Sequence, residues 1–288
     1  MNIQRERDGK DFKYFKIVAR NSVRITDEDT LKRIRHLRIA PAYTGVVISS
    51  YPKSKVQAYG YDLKGRKQTI YAKWFVQQQQ KQKFAKVMGL ESTIFEIQRN
   101  IDGILADYLR HTKERVASPK VQIALIVKLM FLCNFRIGSD NITNGEVKAY
   151  GLTTLEWNHV HQDLQKETLY FSFIGKKGVK NESLCSDKNI YKVVHRMYKS
   201  RKPKSKQIFD VNASDVNQYL QQYDGTLTSK DIRTWMANHL YVKYFMENEN
   251  KDKNFTKRQK HAIERVAADL HHTPTVCRNS YIFPSYLM

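Results

Sequence analysis

The segment KVQIALIVKLMFLCNFRIG at residues 120–138 is apolar on nearly every side, and it constrains the fold more than any other stretch of the sequence. A helix with one apolar stripe can lie on a surface, whereas a helix that is apolar all round has to be enclosed by other elements. No run of eighteen apolar residues occurs in the chain, so the segment is not a membrane span. We therefore predict a buried helix within a mainly helical domain.

The sequence around this segment supports such a domain. ESTIFEIQRNIDGILADYLRH has a capping-type opening, with Ser92 or Thr93 before Glu96. One stretch, 167–184, instead alternates apolar and polar residues and turns at GKKG, which predicts a β-hairpin. The remaining helical patterns are at 212–223, 229–247 and 257–270.

The first eighty residues have a different pattern. DEDTLKRIRHLR at 27–38 has the apolar spacing of a helix and is followed by the breaker APAY. Short β-like runs follow at 45–50, 55–62 and 66–74, and DLKG joins the last two. The polar run 77–83 indicates an exposed helix start or a linker. We predict an α+β protein with a β-rich N-terminal domain (1–80) and a larger, mainly helical domain (81–288) that carries one hairpin.

The net charge of +22 indicates a polyanionic partner and disfavours self-association. Nucleic acid is the commonest such partner, and an anionic membrane surface is the alternative. The three cysteines form no CxxC pair, which gives no sign of a zinc site or a disulfide framework. The first sixteen residues lack the apolar region of a secretory signal. We expect an intracellular protein in a reducing compartment.

Three basic segments contain candidate functional residues, and each has an ordinary structural explanation as well. Arg136 follows the buried helix, where it either binds an anion or satisfies helix-end carbonyls. Lys230 and Arg233 lie one turn apart near a predicted helix start, a position that binds anions but that also suits an exposed cationic face. Lys176 lies at the hairpin tip, where it either contacts a DNA groove or is simply a charge exposed to solvent.

Nucleotide and metal sites receive no support from these motifs. Around Lys176, a phosphate-binding P-loop would need glycine where Tyr170 stands and serine or threonine where Lys177 stands. His159 and His161 form an HxH motif, but no further His, Cys, Asp or Glu pattern completes a metal set. We expect no metal and no other cofactor.

The basic candidates and the segment HHTPTVCRNSY at 271–281 together contain the side chains that one reaction requires. In chain order the set reads Arg136, Lys176, Arg233, His272, Tyr281. Arginine forks match the non-bridging oxygens of a pentacoordinate phosphate, and a histidine can donate one more hydrogen bond. A lysine can protonate the leaving oxygen, and a tyrosine can attack phosphorus and conserve the bond energy as an ester. The set predicts phosphodiester transfer without metal or nucleotide.

The same segments resemble those of the type IB DNA topoisomerases, in the small form of poxviruses, giant viruses and bacteria. The resemblance extends from about residue 20 to residue 285. In the second domain it rests on FRIG with YGLTTLEWNHV, FIGKKG, KDIRTW and HHTPTVCRNSY. In the first domain it rests on LKRIRHLRIAPAYTGVVIS and GYDLKGRKQTIYAKW.

The resemblance implies a monomeric two-domain clamp around double-stranded DNA that relaxes supercoils without ATP or an obligatory metal. It implies Tyr281 as the nucleophile of a 3′-phosphotyrosyl intermediate, with the scissile phosphate held by Arg136, Arg233 and His272. Lys176 would protonate the leaving 5′ oxygen. The implied DNA-binding residues are Lys230, Arg66, Lys67, Gln68 and Tyr71. Such an enzyme would be DNA-associated inside the cell, in the virion or host cell if viral and in the cytoplasm if bacterial.

Two other functions remain open at this stage. A tyrosine recombinase or telomere resolvase would use the same five side chains, although Lys230 stands where recombinases usually have histidine. A basic DNA-packaging protein would explain the charge equally well, but it would not need Tyr281.

Overall fold

The computed structural model of the protein describes residues 2–18, 21–111, 116–138, 148–202, 205–247 and 254–287. The chain divides into two units, Met1–Lys83 and Phe84–Met288. The division falls inside a single helix, α2 (Lys73–Met88), so the polar run 77–83 forms exposed helical turns.

An antiparallel sheet dominates the N-terminal unit. Among the described residues it has six strands, in the order β3-β2-β1-β4-β5-β6. One helix, α1 (Glu28–His36), begins after Asp27, whose side chain accepts a hydrogen bond from the Thr30 amide and caps the helix. The strands are β1 (Asn2–Asp8), β2 (Asp11–Val18), β3 (Asn21–Arg24), β4 (Thr44–Ser49), β5 (Val56–Tyr61) and β6 (Lys67–Tyr71).

A small apolar core holds this unit together. Ile34 from α1 packs with residues of three strands, and the buried members are Ile3, Ile34, Val46, Ile48 and Ala58. The helix and the last three strands confirm the sequence predictions, except that the third predicted strand ends at Tyr71 and its last residues already belong to α2. The first three strands were not predicted; Ile3 is their single buried residue, and the apolar and aromatic side chains of β2 lie on both of its faces and are half-buried or exposed.

The C-terminal unit is mainly helical, as predicted. Its centre is α4 (Pro119–Cys133), which is capped by Ser118 and has ten buried residues. The other described helices are α3 (Glu91–Arg110), α5 (Lys188–Ser200), α6 (Ala213–Leu220), α7 (Ser229–Glu247), α8 (Phe255–Asp269) and α9 (Pro274–Ser280). None of the helices in the described residues is both long and apolar enough to cross a membrane.

A three-stranded antiparallel sheet completes this unit: β7 (Val160–Asp163), β8 (Thr168–Ile174) and β9 (Lys180–Cys185). The β8–β9 hairpin was predicted, whereas β7 was not. Leu169, Phe171 and Phe173 alternate along β8 and are all buried, so this face of the hairpin joins the helical core.

Three details of the helical prediction need correction. Helix α3 starts at Glu91 after Leu90, and no side chain caps it, so the capping role of Ser92 or Thr93 was wrong. Helix α4 ends at Cys133, because Asn134 adopts a left-handed conformation (φ 54°), and residues 134–138 have no regular secondary structure. Helices α5 and α9 were not predicted; α9 has only seven residues.

Candidate active site

Four of the five predicted catalytic side chains come together in the C-terminal unit. Arg136 follows α4, Arg233 lies on α7, His272 follows α8 and Tyr281 ends α9. The rings of His272 and Tyr281 are stacked, with centroids 4.9 Å apart and planes inclined by 15°. The guanidinium carbon of Arg233 lies 5.7 Å from the centre of the Tyr281 ring. Residues far apart in sequence therefore form one cluster.

Arg233 is the fixed cation of this cluster. It is only 7% exposed, and its two terminal nitrogens donate hydrogen bonds to the backbone carbonyls of Asn134 and Leu270. Burial and, to a smaller extent, the charge of Arg136 lower the pKa of Arg233 to about 10, and Tyr281 opposes this shift. The guanidinium therefore remains charged at neutral pH while two positive charges lie close together.

Arg136 is half-buried and positioned by its backbone. The Leu152 amide donates to the Arg136 carbonyl at 2.9 Å, and the Thr153 amide donates to the Ile137 carbonyl at 2.8 Å. A Cβ atom on Gly151 would lie 2.4 Å from the Gly138 Cα, so these two segments approach too closely for a larger residue. The Arg136 side chain donates to the His271 carbonyl at 3.4 Å.

The backbone around Tyr281 is held by a residue that the sequence analysis missed. Asn238 on α7 is 4% exposed; its amide nitrogen donates to the Tyr281 carbonyl at 2.8 Å. Its amide oxygen accepts from the Phe283 amide, also at 2.8 Å. A buried asparagine with both ends of its amide engaged fixes the chain on either side of the tyrosine. The only sequence signal for this role was a polar residue within the predicted helix 229–247.

Cys277 lies one turn before Tyr281 and is fully buried. Burial raises the pKa of its thiol to about 12, with the charge of Arg233 opposing the shift. The thiol is therefore protonated at neutral pH and shielded from solvent. Because the thiolate is the reactive form of cysteine, the Cys277 thiol is unreactive at neutral pH, whereas the Tyr281 side chain is half-buried.

The cluster contains buried polar atoms that the protein itself does not satisfy. Within the described residues, the Nε of Arg233 and both ring nitrogens of His272 have no well-formed hydrogen bond. Burial, together with the charges of Arg233 and Arg136, lowers the pKa of His272 to about 4. Unsatisfied buried donors beside two cations are expected to bind an anion with several acceptor oxygens. A phosphate diester has this chemistry.

Lys176 is not part of the cluster. It is exposed in a tight turn, Lys176–Gly178, at the tip of the β8–β9 hairpin. The turn is closed by hydrogen bonds from the Gly175 amide to Val179 (2.8 Å) and from the Gly178 amide back to Gly175 (3.1 Å). No hydrogen bond or ion pair in the described part of the chain involves the Lys176 ammonium.

Lys230 is exposed in the first turn of α7, one helical turn before Arg233. It precedes Asp231, whose carboxylate accepts hydrogen bonds from the Thr228 amide and hydroxyl and pairs with Lys86 at 2.7 Å. The start of α7 is thus fixed by Asp231, whereas Lys230 points into solvent. Its assignment as a DNA-binding residue stays a prediction.

The N-terminal candidates lie along the β5–β6 turn and β6, and Asp62 organises this turn. The Asp62 carboxylate pairs with Arg66 (2.8 Å) and accepts from the Gln68 amide (3.0 Å). The Arg66 hydrogen bond is the main reason why the pKa of Asp62 falls to about 2. Lys67 lies 4.2 Å above the Tyr59 ring, and Tyr71 is 43% exposed. Their contacts with DNA also stay predictions.

A search of the described residues finds no group of three or more His, Cys, Asp or Glu side chains placed to hold a metal ion. His159, one of the two histidines of the HxH motif, instead accepts from the Glu156 amide at 3.0 Å and packs edge-on against Tyr150. Burial lowers the pKa of His159. This histidine therefore has a structural role.

Comparison with known proteins gives two family matches. The family model of the eukaryotic DNA topoisomerase I catalytic core matches residues 68–284. The model of the bacterial DNA topoisomerase IB N-terminal domain matches residues 11–62. Together the two matches cover most of the chain and meet near the end of the N-terminal sheet.

Viral enzymes are among the similar proteins. DNA topoisomerase 1B of Acanthamoeba polyphaga mimivirus is 28% identical over 97% of this chain and 84% of its own length. DNA topoisomerase 1 of Rabbit fibroma virus is 24% identical over 88% of this chain and 79% of its own length. DNA topoisomerase 1B of Vaccinia virus is 21% identical over 91% of this chain and 82% of its own length. The chain belongs to the type IB DNA topoisomerase family.

Proposed function

We propose that this protein relaxes supercoiled duplex DNA by cutting and rejoining one strand through a covalent bond between Tyr281 and a DNA 3′ phosphate. One observation carries the assignment of the site: the buried Arg233 guanidinium lies beside the Tyr281 ring, which is itself stacked on His272. A nucleophile beside a fixed cation and unsatisfied donors suits attack on phosphorus. Family membership supports the overall activity.

In the cleavage step, the Tyr281 oxygen attacks the scissile phosphorus and its proton passes to solvent. The bond from phosphorus to the 5′ oxygen breaks, and Lys176 gives the leaving oxygen a proton. Arg136, Arg233 and the neutral His272 hold the non-bridging oxygens as their charge grows. The phosphotyrosyl ester conserves the energy of the broken bond, so rejoining is the reverse reaction and needs neither ATP nor a metal.

The exposed position of Lys176 sets a condition on this mechanism. The lysine is mounted on a hairpin whose buried face belongs to the core of the C-terminal unit, so its base is fixed. Bound DNA has to bring the 5′ oxygen within hydrogen-bond reach of the tip, because proton transfer requires about 2.6–3.2 Å between heavy atoms.

DNA binding is assigned to both units, which we propose to close around the duplex as a monomeric clamp. Support comes from the net charge of +22 and from the basic and aromatic residues of the β5–β6 turn and β6. Each neutralised phosphate contributes a slope of about −0.9 to log K against log salt, and 6–10 contacts are expected for a clamp, as a rough estimate. A slope that corresponds to only one or two phosphate contacts would contradict the clamp. We propose that the enzyme acts on DNA in the virion or host cell if it is viral, and in the cytoplasm if it is bacterial.

The tyrosine recombinase alternative is not favoured, since both family matches are to topoisomerases. The two functions also differ in their products. Relaxation changes the linking number of one duplex, whereas recombination joins strands from two.

The direct test is incubation with positively and negatively supercoiled plasmids in EDTA without any nucleotide. We expect complete relaxation of both by the wild type and none by Tyr281→Phe, which lacks only the nucleophilic oxygen. Binding of plasmid by the variant is the control that its fold is intact. A strict requirement for ATP or a divalent metal would contradict the proposed mechanism.

A further inference from the structure

His271 occupies a backbone position that normally belongs to glycine. Helix α8 ends at Asp269, Leu270 caps it, and His271 then adopts a left-handed conformation (φ 50°). The His271 amide donates to the Ala268 carbonyl and the His272 amide to the Ala267 carbonyl, both at 3.0 Å. These are the two hydrogen bonds of a Schellman motif, whose left-handed residue is usually glycine because a side chain is disfavoured there. A histidine at this position needs a separate explanation.

The imidazole of His271 packs against the segment that leads to Arg136. Its ring is stacked on Phe135, with centroids 5.4 Å apart and planes inclined by 29°. Phe135 is 1% exposed and contacts Phe171 and Phe173 of β8, so it is fixed in the core. The ring therefore joins the end of α8 to the end of α4.

The backbone of the same turn holds both arginines of the cluster. The Leu270 carbonyl accepts from Arg233, and the His271 carbonyl accepts from Arg136. The next residue, His272, stacks on Tyr281. The left-handed conformation at His271 sets the directions of these groups relative to one another, so a shift of this turn would displace all three phosphate-binding side chains.

We infer that His271 is a positioning residue for cleavage: its imidazole locks the turn after α8 against the chain after α4, so that Arg136, Arg233 and His272 meet one phosphate. This inference rests on the proposed function. It differs from a role in helix capping alone, for which glycine would serve equally well or better.

Replacement of His271 by glycine separates the two roles, because glycine relieves the backbone strain and removes only the ring. We expect the thermal midpoint of His271→Gly to be unchanged or higher and DNA affinity to stay within about twofold of wild type. Single-turnover cleavage at saturating enzyme is expected to fall by about 10–100-fold, the range expected when reacting groups are displaced. Cleavage at the wild-type rate would overturn the inference.

Two further variants keep the test decisive. Glu167→Gly is the matched control, since Glu167 is also left-handed (φ 55°) but lies between β7 and β8, away from the cluster. Its cleavage rate should equal that of the wild type. If His271→Gly proves less stable than expected, His271→Asn replaces it, because asparagine tolerates the left-handed region but cannot stack on Phe135. A wild-type rate for His271→Asn would equally overturn the inference.

A double-mutant cycle with Arg136→Ala tests whether His271 acts through the arginines. The two rate losses are expected to combine less than multiplicatively, because each disturbs the same contact with phosphate. Fully multiplicative losses would contradict positioning. The wild-type adduct is the reference throughout: if the wild type forms none, the proposed function fails, whereas wild-type cleavage together with unimpaired His271→Gly contradicts this inference alone.

Discussion

Arg233 lies on α7 and Tyr281 directly follows α9, yet the guanidinium carbon of Arg233 lies 5.7 Å from the centre of the tyrosine ring. Two carbonyls, from Asn134 and Leu270, hold the arginine, and Asn238 holds the backbone of the tyrosine. Each partner is thus fixed by its own hydrogen bonds before DNA arrives. Such preorganisation lets a cation stabilise charge as it develops, without reorganisation during the reaction.

Arg233→Lys is expected to slow cleavage by roughly 10²–10³-fold at saturating enzyme, the loss seen when one fixed donor is removed from a reacting centre. A lysine cannot bind both carbonyls and still present a planar donor pair to phosphate. The exposed Arg99→Lys on α3 serves as the control and should cleave normally. A near-wild-type cleavage rate for Arg233→Lys would show that a positive charge at this position is enough for catalysis and that the planar donor pair is not needed.

Asn238→Ala is expected to lower the free energy of unfolding by about 1–3 kcal/mol, because the Tyr281 carbonyl and Phe283 amide lose their buried partner. Cleavage should also slow under conditions where the variant is fully folded, since the tyrosine is no longer held. Chemical denaturation and single-turnover cleavage measure the two effects, with the exposed Asn189→Ala as control. Loss of stability with unchanged cleavage would limit Asn238 to folding.

His272 predicts a pH dependence of stability. Its folded pKa of about 4 lies below the ordinary value of 6.5, so between these values the unfolded chain binds a proton that the folded protein does not. The free energy of unfolding must therefore decrease as pH falls through this window. Burial shifts the pKa of His271 in the same direction.

The contribution of His272 is measured by comparing wild type with His272→Asn in urea unfolding at several pH values. The variant should lose less stability between about pH 6.5 and pH 4, because it lacks one of the groups that protonate on unfolding. Bound phosphodiester should raise the pKa of His272 and reduce the loss in the wild type. Parallel curves for the two proteins would contradict the assigned pKa.

Lys176→Ala tests the side chain that the structure leaves apart from the cluster. As general acid, Lys176 contributes roughly 10²–10⁴-fold to cleavage, with little effect on affinity. Replacement of the 5′ bridging oxygen by sulfur makes a leaving group that hardly needs a proton, so the variant should recover most of its rate on that substrate. The control is Lys177→Ala, a change at the neighbouring position. If sulfur substitution does not restore cleavage by Lys176→Ala, a residue other than Lys176 is the general acid.

The sequence predicted elements that bury many apolar residues, although it missed α5, which also buries an apolar face. Helices α4, α7 and α8 and the β8–β9 hairpin follow directly from burial of their apolar residues. It missed β1 to β3, which together bury only Ile3, and α9, whose seven residues are too few to show a period. These elements are stabilised by pairing and tertiary contacts, to which a local pattern is blind.

Some residues of the candidate site were predicted from the sequence and others were not. Arg136, Arg233, His272 and Tyr281 were predicted because the chemistry of phosphate transfer selects their residue types, and the structure brings them together. Asn238 and His271 were not predicted, because their roles depend on which backbone groups lie nearby. The roles of all these residues in cleavage stay predictions.

The most direct measurement identifies the residue and the DNA end in the covalent intermediate. A nicked or short suicide substrate traps the adduct, and peptide mass spectrometry then locates the attached nucleotide. We predict attachment at Tyr281 through a 3′ phosphate, with release of a 5′-hydroxyl end, and no adduct with Tyr281→Phe. Attachment at another residue, or through a 5′ phosphate, would contradict the account.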